Sequence, residues 1–360
     1  MPFEIDFLSN SNVKQDADAI CFRFRTNTAL PYCICVFDGG TAEYAESIKE
    51  HLTKYYGNPS VIDYVFCSHP DQDHASGLKD VLESYTVRHL VMNRPWLYAK
   101  DLYPKVKDGR ITEQSLERQL RESFPYAEAL EKVALNKGIT ILDAFEGRSI
   151  ENCLRILSPS RQFYLDLLAE SPKTAEMDAR GALHVFARDL ASKVLNLIRE
   201  TWKKESLRED VSTTAVNESS IVLLGQLDEN VLFTGDAGIR ALNNAIEYAS
   251  RLGISLKDKV TFYQIPHHGG RHNVCSSIMD RLVGSIVEEG ADASKSAVVS
   301  AAKDSDHPKK MVVNAFIRRG CSVTTTKGRN ILHHSPGIVR DGWNTAKQEG
   351  FSIEVEDWDE

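Results

Sequence analysis

The sequence predicts a layered α/β fold made of two αβ halves separated by a largely helical insertion. Three observations carry this. From Ile20 to Met92, short apolar runs alternate with amphipathic stretches in a βαβ rhythm, and the same rhythm resumes from Ile221 to Thr324. Between Arg94 and about Val216 the texture changes to helical spacing with charged outer faces. We therefore set the halves at residues 1–93 and 216–335, the insertion at 94–215 and an acidic C-terminal tail at 336–360.

In chain order, Ile20-Cys21-Phe22-Arg23-Phe24 and Cys33-Ile34-Cys35-Val36-Phe37 read as a strand pair joined by the polar link Thr26-Asn27-Thr28. A helix over 41–55 follows, then a strand at Val61-Ile62-Asp63-Tyr64-Val65-Phe66-Cys67, a helix from Ala75 to Ser84 and a strand at Val87–Met92. In the insertion, 115–120, 126–131 and the long stretch from Ala179 to Arg208 have helical spacing, whereas 139–142 and 153–157 look like strands returning to the core. The second half offers strands at 221–224, 231–234 and 260–265, a helix over 241–252 and a helix over 276–289. A strand at 297–300, a helix over 309–319 and a strand near 322–324 complete it.

With 360 residues the chain can hold one elaborated α/β domain or two domains. At 42% hydrophobic and 26% charged residues it reads as soluble and globular. No run approaches a membrane span, and Met1-Pro2-Phe3-Glu4-Ile5-Asp6 lacks the basic and apolar regions of a signal peptide, so a cytoplasmic location is expected. The seven cysteines sit mostly in apolar runs without paired spacing and are read as reduced core thiols. A formal charge of -8 means that nucleic acid could bind only along a local basic path. The run Glu354-Val355-Glu356-Asp357-Trp358-Asp359-Glu360 carries much of the excess and is read as a solvated end.

His69-Pro70-Asp71-Gln72-Asp73-His74 places four potential metal ligands in six residues directly behind a strand. Imidazole and carboxylate together suit zinc or manganese. This motif, with Ser68 before it and Ala75-Ser76-Gly77 after it, resembles the metallo-β-lactamase fold superfamily. The superfamily's first metal motif is His-x-His-x-Asp-His, and Asp71 stands here for the second histidine. The Asp form is similar to the branch holding the hydrolase domain of bacterial DNA-uptake competence proteins and phosphorylcholine esterases. Further matches occur in order at Phe37-Asp38-Gly39-Gly40, Asn217-Glu218-Ser219-Ser220, Phe233-Thr234-Gly235-Asp236, Pro266-His267-His268-Gly269-Gly270 and His307-Pro308.

The resemblance implies a four-layer αββα sandwich with helical insertions and a dinuclear metal site between the sheets. His69 and Asp71 would hold the first metal, Asp73 and His74 the second, and Asp236 would bridge them. Of His267 and His268, one would complete the second metal's shell and the other face the substrate; His268 is taken as ligand and His267 as helper. Alone, the Gly235-Asp236 pair would more often describe a turn, and its order after the first motif reverses that weight. Many superfamily members carry a histidine where this chain has Asn217, and His184, in an apparent inserted helix, is no replacement. The first metal thus has harder donors, which keeps manganese open beside zinc.

Such a pair of divalent ions generates a bridging hydroxide and suits phosphoesters, above all phosphodiesters, in nucleic acid or a nucleotide-like molecule. Asp73, His267 and His307 are the catalytic candidates. His307 could touch a nonbridging oxygen, helped by Lys309 or Arg271, although Asp306-His307-Pro308 also reads as a helix entry with Asp304 or Asp306 capping. Asn217 and Arg271 are candidate substrate contacts. So are Lys203 and Lys204, in a basic run with Lys193, Arg199, Arg208 and Trp202 that is either a solvated helix face or a phosphate track. The alternatives are a carboxylic ester, thioester or lactam hydrolase with the same site, and a non-catalytic partner-binding protein on this fold. Oligomeric state is not legible.

Overall fold

The computed structural model describes residues 1–27, 29–105, 112–171 and 197–358. Apolar alternation builds the first strands: β1 (Phe3–Phe7), β2 (Ala19–Phe24) and β3 (Cys33–Gly39). Helix α1 (Tyr44–Tyr55) then crosses to β4 (Val61–Phe66), and α2 (Gln72–Ser84) to β5 (Thr86–Val91). Next come α3 (Glu113–Ser123), α4 (Pro125–Lys137), β6 (Thr140–Leu142), β7 (Ser149–Ile150), β8 (Leu154–Ser158) and α5 (Arg161–Glu170). After β9 (Leu197–Arg199) the second half runs β10 (Val222–Gln226), β11 (Asn230–Phe233), α6 (Ile239–Arg251) and β12 (Val260–Gln264). It continues with α7 (Ser276–Leu282), β13 (Lys295–Val299), α8 (Lys310–Arg318) and β14 (Cys321–Thr325), and closes with β15 (Ile331–His334) and β16 (Glu354–Glu356).

Two seven-stranded sheets result, ordered β15-β1-β2-β3-β4-β5-β6 and β14-β13-β12-β11-β10-β8-β7. Their facing surfaces share one apolar core in which Phe233 of the second sheet lies 5.2 Å from both Phe22 and Phe37 of the first. The outer face of the first sheet packs on α1 to α5, and that of the second on α6, α7 and α8. This is the four-layer αββα arrangement. The two short insertion runs divide between the sheets: β6 is the edge of the first, while β7 and β8 extend the second.

Strands β3 to β6 are mutually parallel, as are β11 to β14, so their C-terminal ends gather at one edge where loops are free to carry ligands. β2 is antiparallel to β3 and pairs Ala19 with Gly39, which brings the residues just before β2 to that same edge. Helix α2 lies almost backbone to backbone on β3: a Cβ on Gly77 would sit 2.0 Å from the Gly39 carbonyl oxygen. Only glycine permits this approach.

Several expectations need correction. The helix after the metal motif begins at Gln72, so Asp73 and His74 occupy its first turn, with Asp71 as N-cap residue. The helix expected over 276–289 stops at Leu282, and Gly284 follows at φ +129°. Of the stretch from Ala179 to Arg208, residues up to 196, including His184 and Lys193, lie outside the described residues. The rest is not helical. Arg318, fully buried against Glu200, donates hydrogen bonds to the carbonyls of Thr201, Trp202 and Lys204, which takes the acceptors a helix would need. The acidic tail is no solvated end either: β16 pairs with β9, Val355 is buried, and the Glu356 carboxylate accepts the backbone N–H of Lys310 at 2.9 Å. Glu356, and not Asp304 or Asp306, thereby serves the N-terminus of α8. All seven cysteines are unpaired, and all but Cys33 are buried.

Candidate metal centre

Residues from six of the strands that meet at the shared edge contribute. Asp18 precedes β2, Asp38 is near the end of β3, Ser68 to His74 follow β4, Asp236 follows β11, His267 and His268 follow β12, and Ser300 follows β13. The ligand atoms of Asp18, His74, Asp236 and His268, all buried, lie within 4.8 Å of one another.

Asp236 faces two sets of ligands with its two oxygens. Oδ1 is 3.2 Å from His74 Nε2. Oδ2 is 3.7 Å from His69 Nε2 and 3.8 Å from His267 Nε2. On the first side stand also Asp18 and His268, whose Nε2 is 3.6 Å from Asp73 Oδ2. On the second, His69 Nε2 is 3.8 Å from Asp71 Oδ2. Two ligands on one tetrahedral zinc, each about 2.0–2.1 Å from the ion, stand roughly 3.3 Å apart, close to these spacings.

The hydrogen bonds around the rings decide which nitrogens are available. Asp38 accepts the Ser68 backbone N–H at 2.7 Å and the Ser68 hydroxyl at 2.6 Å, and its Oδ2 lies 2.8 Å from His74 Nδ1. A carboxylate only accepts, so His74 carries its proton on Nδ1. The Ser68 hydroxyl has spent its proton on Asp38, so at 3.0 Å it accepts from His69 Nδ1. His268 Nδ1 donates to the Ser300 carbonyl at 3.0 Å. In all three rings Nε2 therefore points into the site, where a cation that displaces any proton would find its lone pair. Those three Nε2 atoms, Asp236 Oδ1 and both oxygens of Asp18 are buried without a hydrogen-bond partner. Orphaned buried polar atoms are costly, and a divalent cation among Asp18, His74, Asp236 and His268 would satisfy those on that side, with His69 Nε2 left to a second cation on the other. The donor set fits the group.

The charges agree. Burial pushes the Asp18 carboxyl up to about 6, against the pull of His268 and His74. Burial would lower His268, yet Asp73, Asp18 and Asp236 lift it to about 10. Burial likewise opposes charge on His74, which Asp236 and Asp38 nevertheless hold well above its usual value. Carboxylates thus outweigh desolvation on that side of Asp236. His69 and His267 are both lowered, chiefly by burial.

The structure thus brings His69, Asp71, Asp73, His74, Asp236, His267 and His268 together. His307 stands on the neighbouring loop, its Nδ1 2.9 Å from Asp16 Oδ2. Burial raises the Asp16 carboxyl, but the His307 contact and the backbone N–H of Ala302 hold it well below the usual carboxylate range. Lys309 pairs with Asp306 at 2.6 Å. The Asn217 amide nitrogen lies 2.9 Å from both His267 Nδ1 and Thr213 Oγ1, so Asn217 meets the site through a histidine. Arg271 is turned to the C-terminal residues: it donates to the Asp357 carbonyl and stacks 5.0 Å from Trp358.

Lys203 and Lys204 are not brought to the site. Their turn wraps Arg318 at the C-terminal end of α8, whereas at the other end Lys309 donates to the carbonyl of Gly269, beside the histidine pair. Nine helical residues separate the two ends, about 13 Å of rise. Trp202 donates its indole N–H to the Val287 carbonyl. Sequence reasoning missed Asp16 and Asp18, and quoted Asp38 without a role. Asp18 directly precedes an apolar strand, a signal visible only once β2 is known to end its pairing beside Gly39.

A four-layer αββα sandwich with buried histidines and carboxylates at one edge is the arrangement expected of a metallo-beta-lactamase-type fold with a metal site. Residues 34–147 match the family model described as metallo-beta-lactamase superfamily. Among solved structures, one described as a putative metallo-beta-lactamase from Thermotoga maritima is similar at 10% identity, with 70% of this chain and 93% of that chain covered and a TM-score of 0.34. No curated protein sequence matches the chain.

Proposed function

We propose that the chain hydrolyses phosphodiesters in nucleic acid or nucleotide-like molecules, with two divalent ions shared by Asp236, zinc first and manganese second. The observation that carries this reading is the two-sided Asp236, whose oxygens face separate groups of buried ligands. When bound, such a pair lowers the pKa of a shared water and clamps the entering and leaving oxygens of an in-line displacement. This suits a charged phosphoryl centre better than a neutral acyl group.

The chain's own residues supply the rest. His307, anchored through Nδ1 by Asp16, keeps Nε2 as the ring atom that could donate to a nonbridging or leaving oxygen. The anionic substrate follows Lys303, Lys327 and Arg329, three exposed cations with no ion-pair partner among the described residues. Their loops are joined to the site: the Ala301 backbone N–H donates to Thr326 Oγ1 at 2.9 Å, and Ala301 follows Ser300, the acceptor for His268. Lys327 and Arg329 line a cavity of about 1170 Å³. A cytoplasmic setting accords with the seven unpaired cysteines. Among the described residues, no helix is long and apolar enough to cross a membrane.

The test is turnover by the metal-loaded protein of bis-para-nitrophenyl phosphate beside a chromogenic acetate, thioester and lactam. Preference for the diester is expected. Hydrolysis of the acyl compounds alone would replace this reading with that of an acyl hydrolase, and no turnover of either would favour a binding protein.

A further inference from the structure

The resemblance leads one to expect a histidine just before the strand that begins at Ser220, where this chain has Asn217-Glu218-Ser219-Ser220, and this leaves the His69 side of Asp236 with His69 as its only nitrogen from the expected set. The structure places a second nitrogen there. His267 Nε2 lies 3.8 Å from the same Asp236 oxygen that His69 Nε2 approaches at 3.7 Å, and Asn217 is the residue that holds the His267 ring. We propose that His267 is the missing nitrogen ligand on the His69 side and that Asn217 is its positioning residue. This rests on the dinuclear reading above.

Three observations support the exchange. First, His267 and His268 adopt consecutive left-handed conformations, at φ +49° and +54°. Non-glycine residues occupy that region only under strain, and the arrangement persists where something is gained by it. Here it sends adjacent rings to opposite sides of Asp236: the two centroids are 5.8 Å apart at an interplanar angle of 85°. His268 joins His74 and Asp73, and His267 joins His69. Without the reversal, neighbouring side chains could not serve two ions.

Second, the other histidines of the centre each spend Nδ1–H on an acceptor and turn Nε2 inward. Asn217 can impose the same tautomer. As placed, its amide nitrogen meets His267 Nδ1 and the Thr213 hydroxyl, both at 2.9 Å, and the tautomer of the ring decides whether Nδ1 accepts or donates there. With the amide turned by a half-turn, as the proposal requires, Oδ1 would accept from the Thr213 hydroxyl and from a hydrogen on His267 Nδ1 and leave the Nε2 lone pair toward Asp236. Third, the His267 side chain is 32% exposed, against 3% for His268. The two sides are thus unequal: the His74–His268 side is enclosed and rich in carboxylate, while the His69–His267 side is open to the cleft. Two unequal metal affinities follow, with the His69–His267 side the weaker.

The experiment counts metal and needs no substrate. Zinc is titrated into chelator-treated full-length protein in competition with a chromophoric chelator, and cobalt absorption reports nitrogen ligation. Wild type should take two equivalents of unequal affinity. His267→Ala should keep the tighter equivalent and lose the weaker by more than about 100-fold. Asn217→Leu should weaken the same equivalent by about 10- to 100-fold, the usual effect of removing a ligand's hydrogen-bond partner, whereas Asn217→Asp, which keeps an oxygen acceptor, should retain it. Circular dichroism and thermal unfolding confirm that each variant is folded. Two equivalents held by His267→Ala within about threefold of wild type would overturn the assignment, as would loss of both, or a wild type that binds one equivalent and keeps it without His267. Absence of diester turnover would sink the functional reading and leave this one standing.

Discussion

Asp38→Asn isolates the tautomer control on which the centre depends. The substitution is isosteric, but it replaces one of two acceptor oxygens by an NH2 donor. Asp38 Oδ1 receives the Ser68 backbone N–H, and Oδ2 receives the Ser68 hydroxyl and His74 Nδ1–H. If the new NH2 takes the Oδ2 position, it donates to His74 Nδ1 and forces the ring proton onto Nε2, the atom that faces Asp236. The displaced Ser68 hydroxyl then donates to His69 Nδ1 and reverses that ring as well. If the NH2 takes the Oδ1 position, it opposes the Ser68 N–H, and two buried donors are left facing one another. The cheaper choice governs, and an unsatisfied buried donor costs about 1–3 kcal/mol. Metal affinity should therefore fall roughly 5- to 150-fold, at about 1.4 kcal/mol per factor of ten. Chelator competition measures it directly, with unfolding of the metal-stripped variant as control. Affinity within about twofold of wild type would show that Asp38 does not set the histidine tautomers, and the argument from Nδ1 acceptors would fail with it.

Asp236→Ala should remove metal from both sides, because each set of ligands loses a shared oxygen, and turnover should fall by about 3 kcal/mol of barrier or more; retention of either metal at wild-type affinity would show that the carboxylate does not bridge. Neutralising Lys327 and Arg329 should raise KM for long anionic substrates and flatten the salt dependence, while Lys203→Ala with Lys204→Ala should change neither; the reverse pattern would restore the basic run near residue 200 as the substrate path. Arg340→Met should destabilise the fold by about 3–5 kcal/mol, since Arg340 pairs with fully buried Asp6 and nearly buried Glu4. Burial raises the Asp6 carboxyl, but His51 and Arg340 bring it below its ordinary 3.8, so its stabilisation is complete above that pH and is lost as pH falls further. The deficit of Arg340→Met in denaturant unfolding should accordingly be greatest near neutrality and narrow below about pH 4, and a deficit independent of pH would assign it to lost packing alone.

What could be read in the sequence was what lies contiguous along it. His69 to His74 fall within six residues because one strand end and one helix start deliver them together, so their chemistry is visible as a string. Asp236 and the histidine pair follow strands in the same way, and their order was enough to group them. Asp18 is a lone acid before an apolar run, and only the antiparallel return of β2 beside β3 carries it to the site. Asp16 is read only through its contact with His307, some 290 residues away. Lys203 and Lys204 misled for the opposite reason: helical spacing of charges is a local signal, and a buried guanidinium from a distant helix overrode it by taking the backbone carbonyls.

The placement of function at the edge then follows from parallel strands rather than from any one residue. Parallel connections return every strand in the same direction, so ligand-bearing loops accumulate at one end and the structural pairs, such as Arg318 with Glu200, at the other. Within that edge, the ring nitrogens are aimed by acceptors on other elements: Asp38 on β3 for His74, Ser68 for His69 and the Ser300 carbonyl after β13 for His268. A ligand aimed from a separate element can be replaced by a neighbour aimed the same way, provided an acceptor stands behind its Nδ1. Under the proposal above, Asn217 with its amide turned would stand there for His267, and a two-sided Asp236 would need no histidine in the segment before Ile221.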